Sequence, residues 1–341
     1  MMKSLFITIS ACLFTSVSFC QNADSAQYYY NKGIEENSAR LYSLASKYLD
    51  TAIQFNPQFT DAYLANGRAN LEMHRISQAS KNFTKAYELA PDNVEVIKEL
   101  SSLYFNNRQF QKAIELAKKC STCDNAERIL GMSYYNQEDY ANAEKYLKEA
   151  LSKNNQDAEA AYTLGRTYLE LENEKNAILL YEKAISLQSS HSVWMYELGL
   201  IFYNQNDYKN SLKYMQMAAD SGYNKSNDYY ENYGFAQLYA GDTENGLKTL
   251  NIVLEHKPNN KELLNNIANA MYETQKYNEA LGYFQKLMDL NPKDASSLYM
   301  AGMTLQKMGQ KDKGQKICDN AIAMDPSLTR YRQKNEMPGG L

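Results

Sequence analysis

A small residue returns along this chain at a nearly fixed interval, at Gly33, Gly67, Ser101, Gly131, Gly165, Gly199, Gly234, Ala268 and Gly302. The successive spacings are 34, 34, 30, 34, 34, 35, 34 and 34 residues. Twelve residues after each stands a second small one, at Ala45, Ala79, Ala113, Ala143, Ala177, Ser211, Gly246, Ala280 and Gly314. Seven further on come Ala52, Ala86, Cys120, Ala150, Ala184, Ala218, Val253, Leu287 and Ala321, and proline follows by five in the units that end at Pro57, Pro91, Pro258, Pro292 and Pro326. A repeat of this length is one supersecondary unit that cannot bury its apolar face alone, so neighbours must stack into a quasi-one-dimensional core. Only 15 Gly and 6 Pro occur in 341 residues, which argues for helices rather than a loop-rich or all-β chain.

The small positions mark where two helices approach closely, because Gly or Ala lets one backbone near the other and admits a neighbour's ring. Large residues fill the intervening layer: Tyr134, Tyr168 and Phe202 on first helices, Phe83, Leu147, Tyr181 and Phe284 on second helices. Each proline ends a second helix, since the residue before it is pushed out of the helical region. Between Ala113 and Gly131 four residues are missing, close to one helical turn, so the shortened helix keeps its inward face. The extra residue between Gly199 and Gly234 falls near Ser221-Gly222, where an insertion is cheap.

This pattern resembles the tetratricopeptide repeat (TPR), a unit of 34 residues built from two antiparallel helices. The resemblance runs from Ala26 to Leu328 in nine units: 26–59, 60–93, 94–123, 124–157, 158–191, 192–226, 227–260, 261–294 and 295–328, with a tail at 329–341. It implies an all-α fold, a right-handed α-solenoid without conventional domain boundaries. It also implies that first helices line a concave surface through relative positions 2, 5, 9 and 12. Those slots hold Tyr30, Arg68, Lys98, Phe105, Arg128, Tyr272 and, in the middle repeats, Tyr135, Tyr162, Arg166, Tyr196 and Tyr203. The last five are the expected partner-binding residues: rings as anchors, arginine as donor. Packing between adjacent helices is the competing reading for each ring. The clamp that some family members use for chaperone tails wants Lys, Asn, Asn, Lys and Arg. This chain supplies Lys98, Ser102, Ile129, Glu159 and Thr163, of which only the first fits.

Chemistry is otherwise sparse. His74, His191 and His256 fall in three different repeats, so spacing supports neither a metal cluster nor a histidine dyad. No dinucleotide, Walker, GxSxG or HExxH motif is present; the expectation is no enzyme, no cofactor and no metal. A net charge of -4 gives no basic field for nucleic acid. The pair Cys120 and Cys123 closes the shortened second helix of the third unit. A local disulfide is the first reading there, with free thiols, a redox pair and half a metal site as alternatives.

The first twenty residues, MMKSLFITISACLFTSVSFC, read as a signal peptide, with one lysine, a short apolar run and small residues before Gln21. The alternatives are a lipobox at Ile9 to Cys12, which would lipidate Cys12, an uncleaved anchor, or a fortuitous apolar start. No other segment is apolar for the roughly 20 residues a span needs. The leader is similar to those of exported Bacteroidetes proteins. The expected role is a non-enzymatic cell-envelope scaffold, exported or periplasmic, whose partner is a protein or peptide. The alternative is carbohydrate or nutrient capture at the cell surface.

Overall fold

The computed structural model describes residues 23–334, so the signal segment 1–20, Cys12 and the tail beyond Lys334 lie outside the described residues. Among the described residues the regular elements are all helical. They form two compact units divided between Leu187 and Gln188, within the link between the fifth and sixth repeats. The repeat pattern alone shows no such boundary, but in an array whose units touch only their neighbours any repeat junction can become one.

The first unit holds α1 (23–38), α2 (Tyr42–Phe55), α3 (Thr60–Glu72), α4 (Ile76–Leu89), α5 (Val94–Asn106), α6 (Phe110–Ala117), α7 (Ala126–Asn136), α8 (Tyr140–Lys153), α9 (Ala158–Glu170) and α10 (Glu174–Leu187). The second holds α11 (Ser192–Asn204), α12 (Tyr208–Asp220), α13 (Asn227–Tyr239), α14 (Thr243–His256), α15 (Lys261–Glu273), α16 (Tyr277–Leu290), α17 (Ala295–Lys307) and α18 (Lys311–Met324). A 3₁₀ turn at Pro326–Leu328 and α19 (Thr329–Lys334) follow. The first residues of the expected tail are thus helical, and Tyr331 packs against the cluster of Tyr299, Cys318 and Leu328.

Every helix pair turns the corner in the same way. The residue two past the end of the first helix takes a left-handed backbone, with φ of 55° at His74, 61° at Glu138, 55° at Glu172 and 60° at Asn206. The next two amides reach back to the last turn: Glu138 N–H donates to Tyr135 O at 3.0 Å and Asp139 N–H to Tyr134 O at 3.0 Å. This is a Schellman closure, normally assigned to glycine. Only Gly241 and Gly309 supply glycine at that position. Asp139, Asp207 and Asp242 then cap the second helices, each accepting from the backbone N–H of the asparagine three residues on. The asparagine side chain returns the bond to the same aspartate. Because an L-residue in the left-handed region costs about 1–2 kcal/mol, Glu172→Gly should stabilise the chain by about 0.5 kcal/mol after its added unfolded-state freedom is offset. Gly309→Ala should destabilise it by about 1 kcal/mol. Urea unfolding followed by circular dichroism measures both, and equal signs for the two would count against the strain.

The core is a series of locks. Phe83 is fully buried, and a Cβ added to Gly67 would stand 2.4 Å from its ring. Tyr181, 1% exposed, meets Gly165 in the same manner at 2.9 Å. In the third repeat α6 stops at Ala117, so Cys120 and Cys123 lie in the connection after it rather than in the helix. Their sulfur atoms are bonded, with Cα atoms 5.4 Å apart, and both side chains are buried among Leu100, Leu116 and Ala126. Cys318 is a buried thiol beneath Gly302.

Candidate functional site

In the first unit Tyr135 comes from the last turn of α7, while Tyr162 and Arg166 stand one turn apart on α9. Residues four apart share a helix face. The side chain of Asp157 caps α9 by accepting from Ala160 N–H at 3.0 Å, which fixes where that face begins. The Arg166 guanidinium lies 5.1 Å from the centre of the Tyr135 ring and 5.8 Å from that of Tyr162, within cation–π range of both. All three side chains are half-buried. Each ring has a second ring behind it. Tyr181 meets Tyr162 edge-on at 5.3 Å, and Tyr140 is tilted against Tyr135 at 5.9 Å. Desolvation and the carboxylates of Glu170 and Glu138 hold the Tyr140 hydroxyl above its ordinary range. It therefore stays a neutral donor and acceptor at physiological pH. The structure thus brings three of the five expected residues into one cluster, Tyr140–Tyr135–Arg166–Tyr162–Tyr181.

The other cations in those slots of the first unit are engaged between repeats. Arg68 donates to Glu99 and Glu95 of the next repeat, both at 2.7 Å. Lys98 pairs with Asp124 at 2.8 Å, and Arg128 with Glu159 at 3.0 Å and Asp157 at 3.7 Å. Hydrogen bonding to Asp124 raises the Lys98 pKa, and that to Lys98 lowers the Asp124 pKa. Such partly exposed pairs contribute about 0–1 kcal/mol each, and their main effect is to balance charge on this face. The chaperone-clamp slots are occupied in the same way: Ile129 is buried, Lys98 and Glu159 are paired, and the Thr163 hydroxyl donates to Glu159 O.

In the second unit Tyr196 is only 7% exposed. Its ring stacks on Tyr223 at 4.3 Å and lies 5.9 Å from Tyr229, and its hydroxyl accepts from Asn232 Nδ2 at 2.8 Å. These are the contacts of a packing ring. Tyr203 is half-buried, 5.6 Å from Tyr208 and 6.4 Å from Tyr239, whose hydroxyl donates to Glu273 at 2.8 Å. Burial, with the charges of Tyr208 and Glu273, pushes the Tyr203 hydroxyl up to about 12. A phenol raised above its unfolded value near 10 contributes stability that is full below about pH 10 and is lost as pH rises through about 12. The expected result is alkaline unfolding in that window, with part of the tyrosinate absorbance appearing only as the fold is lost. Smooth ionisation of all tyrosines near 10 in the folded protein would contradict it.

The supporting rings were not among the sequence candidates. They follow a rule that is visible in the chain, since an aromatic residue in slot 12 is followed five residues later by another: Phe105 and Phe110, Tyr135 and Tyr140, Tyr203 and Tyr208, Tyr272 and Tyr277. Their ring centres lie 5.6–5.9 Å apart. Among the described residues no group of three or more His, Cys, Asp or Glu side chains could hold a metal ion. No helix among them is long and apolar enough to cross a membrane.

Helix pairs of constant length, each locked small-to-large and carrying rings on its first helices, define a helical repeat protein of the α-solenoid class. The chain is a tetratricopeptide-repeat protein: models described as Tetratricopeptide repeat match residues 130–192, 261–294 and 283–316. Proteins of this kind are protein–protein interaction scaffolds. Among curated relatives, a "Protein CTR9 homolog" of Arabidopsis thaliana is 31% identical over 110 residues, 31% of this chain and 10% of that protein. A UDP-N-acetylglucosamine--peptide N-acetylglucosaminyltransferase of Giardia intestinalis is 44% identical over 62 residues, 18% of this chain and 4% of that protein. This chain therefore spans a tenth or less of the length of these relatives. Among solved structures, MamA from Desulfovibrio magneticus RS-1 aligns at a TM-score of 0.46 with 17% identity, covering 49% of this chain and 97% of that one. YrrB, described as a TPR protein with an unusual peptide-binding site, aligns at 0.40 with 22% identity, covering 55% and 97%.

Proposed function

We propose that this chain is a non-enzymatic scaffold of the cell envelope that holds a segment of a partner protein against the first helices of its fourth and fifth repeats. The observation that carries the reading is the cluster of Tyr135, Arg166 and Tyr162. Two rings and a guanidinium are held partly open by a second layer of rings, where simple packing would have buried them as it buries Tyr196. The envelope location rests on the leader-like residues 1–20. Export with cleavage after Cys20 is part of the proposal, and the intact mass of the protein from its native cell tests it.

The site itself is tested by immobilising the full chain and measuring capture of the partner from envelope extract. Tyr162→Ala and Arg166→Ala should each reduce capture more than about fivefold, the threshold for an interface anchor. Both should leave the melting temperature within a few degrees of the parent, since neither side chain is fully buried. Unchanged capture by both variants would move the site elsewhere.

A further inference from the structure

We infer that the segment held at Tyr135, Arg166 and Tyr162 is an uncharged, proline-rich stretch in the polyproline II conformation; this rests on the reading of that cluster as the binding site. Two independent features of the first unit carry it.

The first is charge. An acidic or basic segment needs uncompensated opposite charge, and this face shows balance. Arg68, Lys98 and Arg128 are each paired with a carboxylate of the following repeat, and Glu170 stands one turn beyond Arg166 on the same face of α9. A charged ligand would have to break these pairs or lie beside like charge.

The second is the combination of groups at the cluster. The rings of Tyr140, Tyr135, Tyr162 and Tyr181 follow one another at contact spacing with the guanidinium of Arg166 among them. A helix or strand arrives with its backbone groups already paired within its own structure, and gains little from hydroxyl and guanidinium donors. Polyproline II has no internal hydrogen bonds, so each of its carbonyls needs a donor. Its pyrrolidine rings are rigid and flat, and dock against aromatic ridges at low entropic cost. Rings interleaved with donors are what such a segment requires. The tyrosine hydroxyls and the guanidinium edge can supply the donors, while the ring faces take the prolines.

The test is selection of short random peptides displayed on phage against the immobilised full chain, repeated on Tyr162→Ala. Winning peptides are then synthesised and titrated at low and high salt. The expected result is enrichment of proline with depletion of Asp, Glu, Lys and Arg among clones lost on Tyr162→Ala. Affinity should change less than about twofold between the two salt concentrations, because no net ion pairs form. Arg166→Lys, which keeps the charge but loses the planar fork, should weaken these peptides about fivefold or more. Clones that depend on Tyr162 but are acidic and salt-sensitive would overturn the proline inference and leave the site standing. Clones indifferent to Tyr162 and Arg166 would overturn both. Failure to enrich any peptide would also overturn the inference, because a preformed platform for proline requires no further partner.

Discussion

Phe83→Ala is expected to destabilise the chain by about 3–5 kcal/mol, the usual cost of emptying a buried aromatic site. Phe83 is fully buried and its ring fills the space that Gly67 leaves open, so close that a Cβ at position 67 would stand only 2.4 Å away. The opposite change is also costly. Gly67→Val would press two methyl groups into that ring, and overpacking of this kind costs about 1–3 kcal/mol or more when the neighbour cannot move. Phe83 cannot move, because Ala79, Ala86, Ile97 and Leu100 belong to the same buried cluster. The informative experiment is the double variant. Valine at 67 and alanine at 83 exchange volume across one contact, so the combined loss should fall short of the sum of the single losses by about 0.5–3 kcal/mol. Strict additivity in urea unfolding would mean that the two residues do not form a lock. The same exchange exists in the native chain, since the third repeat carries Ser101 and Ala117 at these positions, a larger residue with a smaller one.

This lock explains why the fold was readable. The small residue of one helix and its filling partner on the next are sixteen apart in repeat after repeat, and no other regular structure asks for that spacing so often. The third repeat was legible in outline, as a shortened second helix, but the helix ends earlier than the four missing residues require. The chain there is pinned by Cys120 and Cys123 instead of by helix hydrogen bonds. The division at Leu187 and Gln188 was not legible, since the period runs through it without a break.

The candidate site was legible only in part, for a physical reason. Slot position tells which way a side chain leaves the helix and says nothing about what meets it there. Arg68 and Arg128 leave toward the expected face, but a carboxylate 31 residues onward, three short of one period, is waiting for each: Glu99 and Glu159. Reading charges one period apart, and not only within a helix, would have found these pairs. Tyr135 and Tyr196 occupy equivalent kinds of slot, yet one borders Arg166 and the other is enclosed by Tyr223 and Tyr229. Tyr223 sits in the connection lengthened by the inserted residue, so the burial of Tyr196 depends on a loop whose path the period does not specify.

Tyr196→Ala should therefore behave as a core mutation. Removing a ring that is 7% exposed and stacked at 4.3 Å on Tyr223 is expected to cost about 3–5 kcal/mol of stability. It also leaves the Asn232 amide without the hydroxyl that accepts from it at 2.8 Å. Tyr196→Phe separates these contributions. The stacking survives and only the hydrogen bond is lost, for about 0.5–1.5 kcal/mol. If Tyr196 served instead as an anchor for a partner, the alanine variant would melt normally and fail to capture. Thermal melting and capture, measured on Tyr196→Ala beside Tyr162→Ala, should give opposite results. Tyr196→Ala loses melting temperature and, at a temperature where it is still folded, keeps capture at the first unit. Tyr162→Ala keeps melting temperature and loses capture. The contrast follows from burial alone, since both residues are tyrosines on the first helix of a repeat, and one ring has its faces covered by the chain while the other is only half-covered and offers the rest to a partner.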